Sequence, residues 1–124
     1  MEVPEFWRAF RDEHGLAGRS IRIPEDDDPS EEQAAMLVFT DVQIVAEATK
    51  YFPGIAAVKS GYVPVGGCEW GSGDPFFVRA VDGPGGALYQ IDHEAVAGDE
   101  TLIEEGVEVV LGAFARLVEY VEGE

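Results

Sequence analysis

Apolar positions recur along this chain with two periods, and each change of period marks an element. In residues 4–14, Phe6, Trp7 and Phe10 share one helical face. Pro4 suits the first turn of that helix and Gly15 the position just past its end. Residues 20–24 switch to alternation, with Ile21 and Ile23 flanking Arg22, and read as a short strand. The run Glu25-Asp26-Asp27-Asp28-Pro29-Ser30-Glu31-Glu32 cannot be buried unpaired. It predicts a solvated loop, or a helix start capped by Asp28 with Pro29 in the first turn. Leu37-Val38-Phe39 is a strand candidate. Thr40 and Gln43 then stand at capping-box spacing, and a helix over 41–52 is expected to bury Val42, Ile44, Val45, Ala48 and Phe52 before Pro53-Gly54 ends it.

The second half reads as a meander closed by a helix. Residues 62–65 predict a strand, residues 66–74 a glycine-rich loop, and residues 75–81 the next strand, with Pro75 at a strand's first position. Asp82-Gly83-Pro84-Gly85-Gly86 predicts a turn, and residues 87–91 the returning arm of a hairpin. Val107, Val110, Leu111, Phe114, Leu117, Val118 and Val121 then step at helical spacing, so residues 107–121 predict an amphipathic helix. The expected fold is a single α+β domain over residues 1–124, a central antiparallel or mixed sheet with helices packed on it.

Charge changes the picture more than composition does. A length of 124 residues and a hydrophobic share of 46% suffice for one core without a metal or disulfide staple. Eight basic residues against 25 acidic ones give a net charge of −17. After Lys59 only Arg79 and Arg116 are basic, against 13 acids from Glu69 to Glu124. Such a surface repels phosphate backbones and anionic lipid, so neither nucleic acid nor membrane is an expected partner. A cationic protein is, and solubility is the plainer use of the same charge. One cysteine excludes an intrachain disulfide. The first residues carry no basic-then-apolar run and no apolar run reaches membrane-spanning length, so the expected location is cytoplasmic.

The stretch 66–78, GGCEWGSGDPFFV, gathers the candidate chemistry. Phosphate cradles lead from glycines into a helix, usually with a lysine; here the glycines lead into a strand and no lysine is near. Cys68, Glu69, Asp74, His93 and Glu94 contain no ligand pair at zinc spacing, so no metal or other cofactor is expected. Cys68 sits among acids rather than beside the bases that activate a thiol, and His93 has no neighbouring nucleophile. No catalytic residue is assigned and no enzyme is expected. Gly66, Gly67 and Gly73 read as conformational glycines, and Asp74 as the side chain that locks the loop onto backbone N–H groups. Trp70 either plugs the core or anchors a partner.

Leu37-Val38-Phe39-Thr40, a helix, Tyr62-Val63-Pro64-Val65-Gly66-Gly67 and Gly73-Asp74-Pro75-Phe76-Phe77-Val78 together resemble the SUKH superfamily. Leu88-Tyr89-Gln90-Ile91-Asp92-His93-Glu94 resembles its next strand, and the last segment, with Phe114 and Leu117, its closing helix. The resemblance spans residues 37–121; residues 1–36 depart from the family pattern. It implies a non-catalytic domain, often an immunity protein that binds and neutralises a toxin, many of which act on nucleic acid. The expected partner is then a basic toxin domain. Partner-binding residues are expected in the acidic run (Asp26, Asp27, Asp28, Glu31, Glu32) and at the loop tip (Glu69, Trp70). Two alternatives remain at this stage: a regulatory or scaffold module of the same superfamily, and a small ligand-binding domain using the 66–74 loop.

Overall fold

The computed structural model describes residues 3–24, 32–51, 53–69, 74–92, 96, 102 and 104–121. Among them the chain forms α1 (Glu5–Glu13), β1 (Ser20–Pro24), β2 (Glu32–Val38), α2 (Asp41–Lys50), α3 (Gly54–Lys59), β3 (Tyr62–Cys68), β4 (Phe76–Arg79), β5 (Leu88–Ile91) and β6 (Val107–Leu111). Short 3₁₀ segments cover Ala80–Gly85, Glu104–Gly106 and Phe114–Tyr120. The six strands pair in chain order, each antiparallel to its neighbour. The α+β class therefore stands, with a wholly antiparallel sheet. The sheet curls, because the last 3₁₀ segment carries the chain from β6 back to β1, where Val121 bridges Ile21.

Period-two alternation sorts the strand residues into two cores. Ile21, Ile23, Met36, Val38, Val63, Val65, Phe76, Val78 and Leu88 face one way, onto Trp7 of α1 and onto Phe114 and Leu117. Phe114 is the hub: its ring centroid lies 5.5 Å from Trp7, 5.1 Å from Phe10 and 5.9 Å from Phe6. Tyr62, Phe77 and Ile91 face the other way, onto Ala56 and Ala57 of α3.

Local signals set most boundaries. Pro4 precedes α1, and Gly15 follows it at φ 61, a backbone state that favours glycine. Thr40 and Gln43 form the capping box at the start of α2: the Gln43 N–H donates to Thr40 Oγ1 (3.4 Å) and the Thr40 N–H to Gln43 Oε1 (2.9 Å). The β4–β5 hairpin pairs Phe76 with Gln90 and Phe77 with Tyr89, around a turn that needs Gly83 at φ 67.

Four expectations are corrected. Residues 107–121 are not one helix but β6 followed by a 3₁₀ segment. Val107, Val109 and Val110 are β-branched and suit the ladder that β5 offers, and Gly112 breaks the run. Phe114, Leu117 and Tyr120 then fall at intervals of three, the 3₁₀ period. β2 begins at Glu32, so a helix started by Asp28 does not continue past that residue. β3 runs to Cys68, which places Gly66 and Gly67 inside a strand rather than in a loop. In α2, Ile44 and Ala48 are buried as expected, but Val42 is 79% exposed and Val45 37%. α3 follows Pro53 directly, where the sequence pattern indicates only a helix end.

Candidate partner-binding surfaces

Helix α2 is held to α1 by one buried cation. Arg11 is buried, and its Nη1 lies 2.6 Å from Asp41 Oδ1 and 3.4 Å from the Phe39 carbonyl oxygen, while its Nε donates to Asp12 Oδ1 at 2.9 Å. Arg8 Nε reaches the other Asp41 oxygen at 3.4 Å. Burial by itself lowers the Arg11 pKa, but hydrogen bonds and attraction from Asp12 and Asp41 leave it raised, so the guanidinium stays charged. The hydrogen bond from Arg11 in turn lowers the pKa of Asp12. This network fixes the N-terminal end of α2 and the direction in which its outer face points.

The glycine pair of the 66–74 stretch works by absence of a side chain. Gly66 pairs with Val38 and Gly67 with Leu37 across the β2–β3 ladder. A Cβ on Gly66 would meet Met36 Cε, Met36 Cγ at 2.7 Å and the Leu37 carbonyl oxygen at 2.9 Å. Neither glycine has positive φ, so close approach, not turning, is the reason for Gly66. Glu69, exposed at the end of β3, is tied to β1 and β2: its N–H donates to the Ala35 carbonyl (2.8 Å), and Ser20 Oγ donates to Glu69 Oε2 (2.9 Å). Trp70 and Gly73 lie outside the described residues, as do Asp26, Asp27, Asp28, Glu31, His93 and Glu94. Glu32 opens β2. Asp74 is partly buried, and its backbone carbonyl accepts from Gln90 Nε2 at 3.1 Å, which ties the end of the stretch to β5.

Asp74 belongs to a feature that the sequence pattern did not reveal. Asp74, Asp92, Glu105 and Glu108 line one polar depression of about 140 Å³ with Gln90 and Gly106. Asp74 before β4, Asp92 after β5, and Glu105 and Glu108 around the start of β6 line it together because β5 lies between β4 and β6. Gln90 pairs with Glu108, and the Asp92 N–H donates to the Gly106 carbonyl at 3.0 Å. Among the described residues, no three acidic, histidine or cysteine side chains are close enough to hold a metal ion. The chemistry of the depression suits a larger cation, an ammonium or a guanidinium.

The second surface is apolar. Asp41, Val42, Val45, Ala46, Thr49 and Lys50 line a groove of about 360 Å³ on the outer side of α2. A neighbouring groove of about 210 Å³ is lined by Phe39, Gln43, Ala46, Glu47 and Tyr51. At about 100° per residue, Val42, Val45, Ala46 and Thr49 share one face of α2, well away from Ile44 and Ala48. That angular separation is the signal by which the sequence distinguishes two apolar faces on this helix. Burial pushes the Glu47 carboxyl up, above its ordinary range. No helix among the described residues is long and apolar enough to cross a membrane. Comparison with family models, with curated proteins and with solved structures found no match to this chain.

Proposed function

We propose that this chain is a non-catalytic, cytoplasmic binding protein of the immunity type, which covers a basic toxin domain in the producing cell and blocks it. The observation that carries the reading is that Asp74, Asp92, Glu105 and Glu108 all border one depression in a chain of net charge −17. A pocket of that chemistry receives lysine or arginine side chains, and a protein that grips nucleic acid must present them. Opposite potentials also speed encounter and disfavour wrong partners. The SUKH-like order of segments from Leu37 to Ile91 supports the same reading, while the closing helix of that resemblance is a strand and a 3₁₀ segment in this chain; an antiparallel α+β domain is compatible with it.

Co-expression tests it. A basic domain encoded beside this chain is the expected toxin, and it should arrest growth when produced alone. Growth returns when this chain is produced with it, and the two proteins elute as one complex. Replacing Glu105 and Glu108 with Gln is expected to weaken that complex. Arrest that persists in the presence of folded chain, with no complex on size exclusion, removes the immunity reading.

A further inference from the structure

We propose that the outer face of α2 is a docking site for an apolar segment of a partner protein flanked by lysine or arginine. This deepens the protein-binding reading above and rests on it for the existence of a partner.

Three observations meet on this face. Of the six large hydrophobic residues that stand exposed among the described residues, Val42, Val45 and Tyr51 belong to α2 or its C-terminal cap. They border two adjoining grooves that share Ala46, whose small side chain leaves the space between them. The one hydroxyl in the larger groove is already used: Thr49 Oγ1 donates to the Val45 carbonyl at 2.6 Å. The floor therefore asks for apolar contact rather than hydrogen bonds. The helix is also held rigidly, by the capping box at Thr40 and by Arg11 on Asp41, so little ordering is required on binding.

Charge selects among the possible occupants. Asp41, at one end of the larger groove, is already paired with Arg11 and Arg8, so the acid that an arriving cation would meet is Glu47, which lines the smaller groove beside Tyr51. Glu47 is partly buried, and burial alone accounts for the upward displacement of its pKa; no cation contributes. An arriving ammonium or guanidinium would supply the missing charge. Lys50 is the single base lining either groove. A second copy of this chain would bring another −17 against the first, and an anionic lipid surface would be repelled in the same way. A cationic, apolar protein segment satisfies both the floor and the rim.

The experiment uses the full chain and two synthetic helical peptides, one with a leucine stripe flanked by lysines and the other identical but flanked by glutamates. Binding is followed by NMR chemical shifts and titration calorimetry. The lysine peptide is expected to bind, with shifts centred on residues 41–51. Val45→Asp should weaken it at least about tenfold. Glu47→Gln should weaken it about threefold without lowering the melting temperature, since desolvation makes the ionised carboxylate unfavourable to the free protein. That pairing of effects is one a purely structural Glu47 would not produce. Val42 and Val45 are exposed enough for Asp to be tolerated, and Val42→Asp gives a second reading of the same face.

The proposal is overturned if the lysine peptide's shifts centre on Asp92, Glu105 and Glu108, or if its affinity is indifferent to Val45→Asp; bulk charge is then the whole effect. It is overturned equally by equal binding of the glutamate peptide. A dimer of the free chain that Val45→Asp dissolves would assign the face to a second copy instead. The peptides involve no toxin, so this test and the co-expression test fail independently.

Discussion

Gly66 has no room for a methyl group, and Gly15 has room but the wrong backbone for one. The first would press a Cβ onto Met36 and the Leu37 carbonyl; the second has nothing within 4 Å but sits at φ 61. Gly66→Ala should therefore cost about 1–3 kcal/mol by overpacking. Gly15→Ala should cost about 1 kcal/mol through backbone strain alone. Urea titrations of the two variants check both values. The larger loss should be at Gly66, and a companion Met36→Ala change, which opens the space, should make the added methyl cheaper. If Gly66→Ala costs no more in the wild-type background than beside Met36→Ala, close packing is not the reason for the glycine. Arg11 is the other residue on which local order depends. Arg11→Lys keeps a charge but loses the planar fork that reaches Asp12, Asp41 and the Phe39 carbonyl together, so it should still destabilise, by about 1–2 kcal/mol.

At the scale of elements, α2 shows what the sequence makes legible and what it conceals. Its start is written in Thr40 and Gln43, because capping is local chemistry. Its burial is not, because Val42, Ile44, Val45 and Ala48 are all apolar and only the packing of α3 and β3 selects Ile44 and Ala48 for the core. The same limit explains β6. Spacing from Val107 to Val121 fits a helix, yet the neighbouring β5 supplies a partner strand, and tertiary pairing overrides periodicity. The acidic depression is concealed for a third reason: Asp74, Asp92 and the pair Glu105 and Glu108 are distant in sequence and come to border one depression only through strand order. Glu47 gives this scale its pH test. Desolvation raises its pKa in the folded state. The folded state is thus favoured while Glu47 is neutral, below the ordinary glutamate range, and that contribution is lost as pH rises through the raised value. Glu47→Gln should accordingly raise the melting temperature at pH 7, by about 1–3 °C given how much of the side chain still meets water. The gain should vanish near pH 4, where both side chains are neutral. Thermal melts of the two proteins at both pH values decide it; a gain that persists unchanged at low pH would trace to packing instead.

For the whole molecule, the net charge of −17 acts on two quantities with opposite sign. Within the free chain, like charges repel and oppose the compact state. Salt screens them: the Debye length falls from about 30 Å at 0.01 M to about 10 Å at 0.1 M and about 3 Å at 1 M. The fold places four of the acids, Asp74, Asp92, Glu105 and Glu108, around one depression. Added sodium chloride should therefore raise the melting temperature, most steeply below about 0.1 M. Association with a basic partner should respond in the reverse direction, since screening removes the steering that raises encounter rates by about 10–1000-fold. Rim charges act chiefly on the rate of association and desolvated anchors on the rate of dissociation. Replacing Asp26, Asp27 and Asp28 with Asn, or Glu105 and Glu108 with Gln, should thus slow association on whichever side faces the partner. Val45→Asp should instead speed dissociation, because Val45 sits in the apolar groove of α2. Stopped-flow association across a salt series, with the basic partner, separates these contributions. An association rate flat from low to high salt, in a chain whose melting temperature does rise with salt, would leave the negative charge with solubility as its only role and remove the electrostatic support for a basic partner.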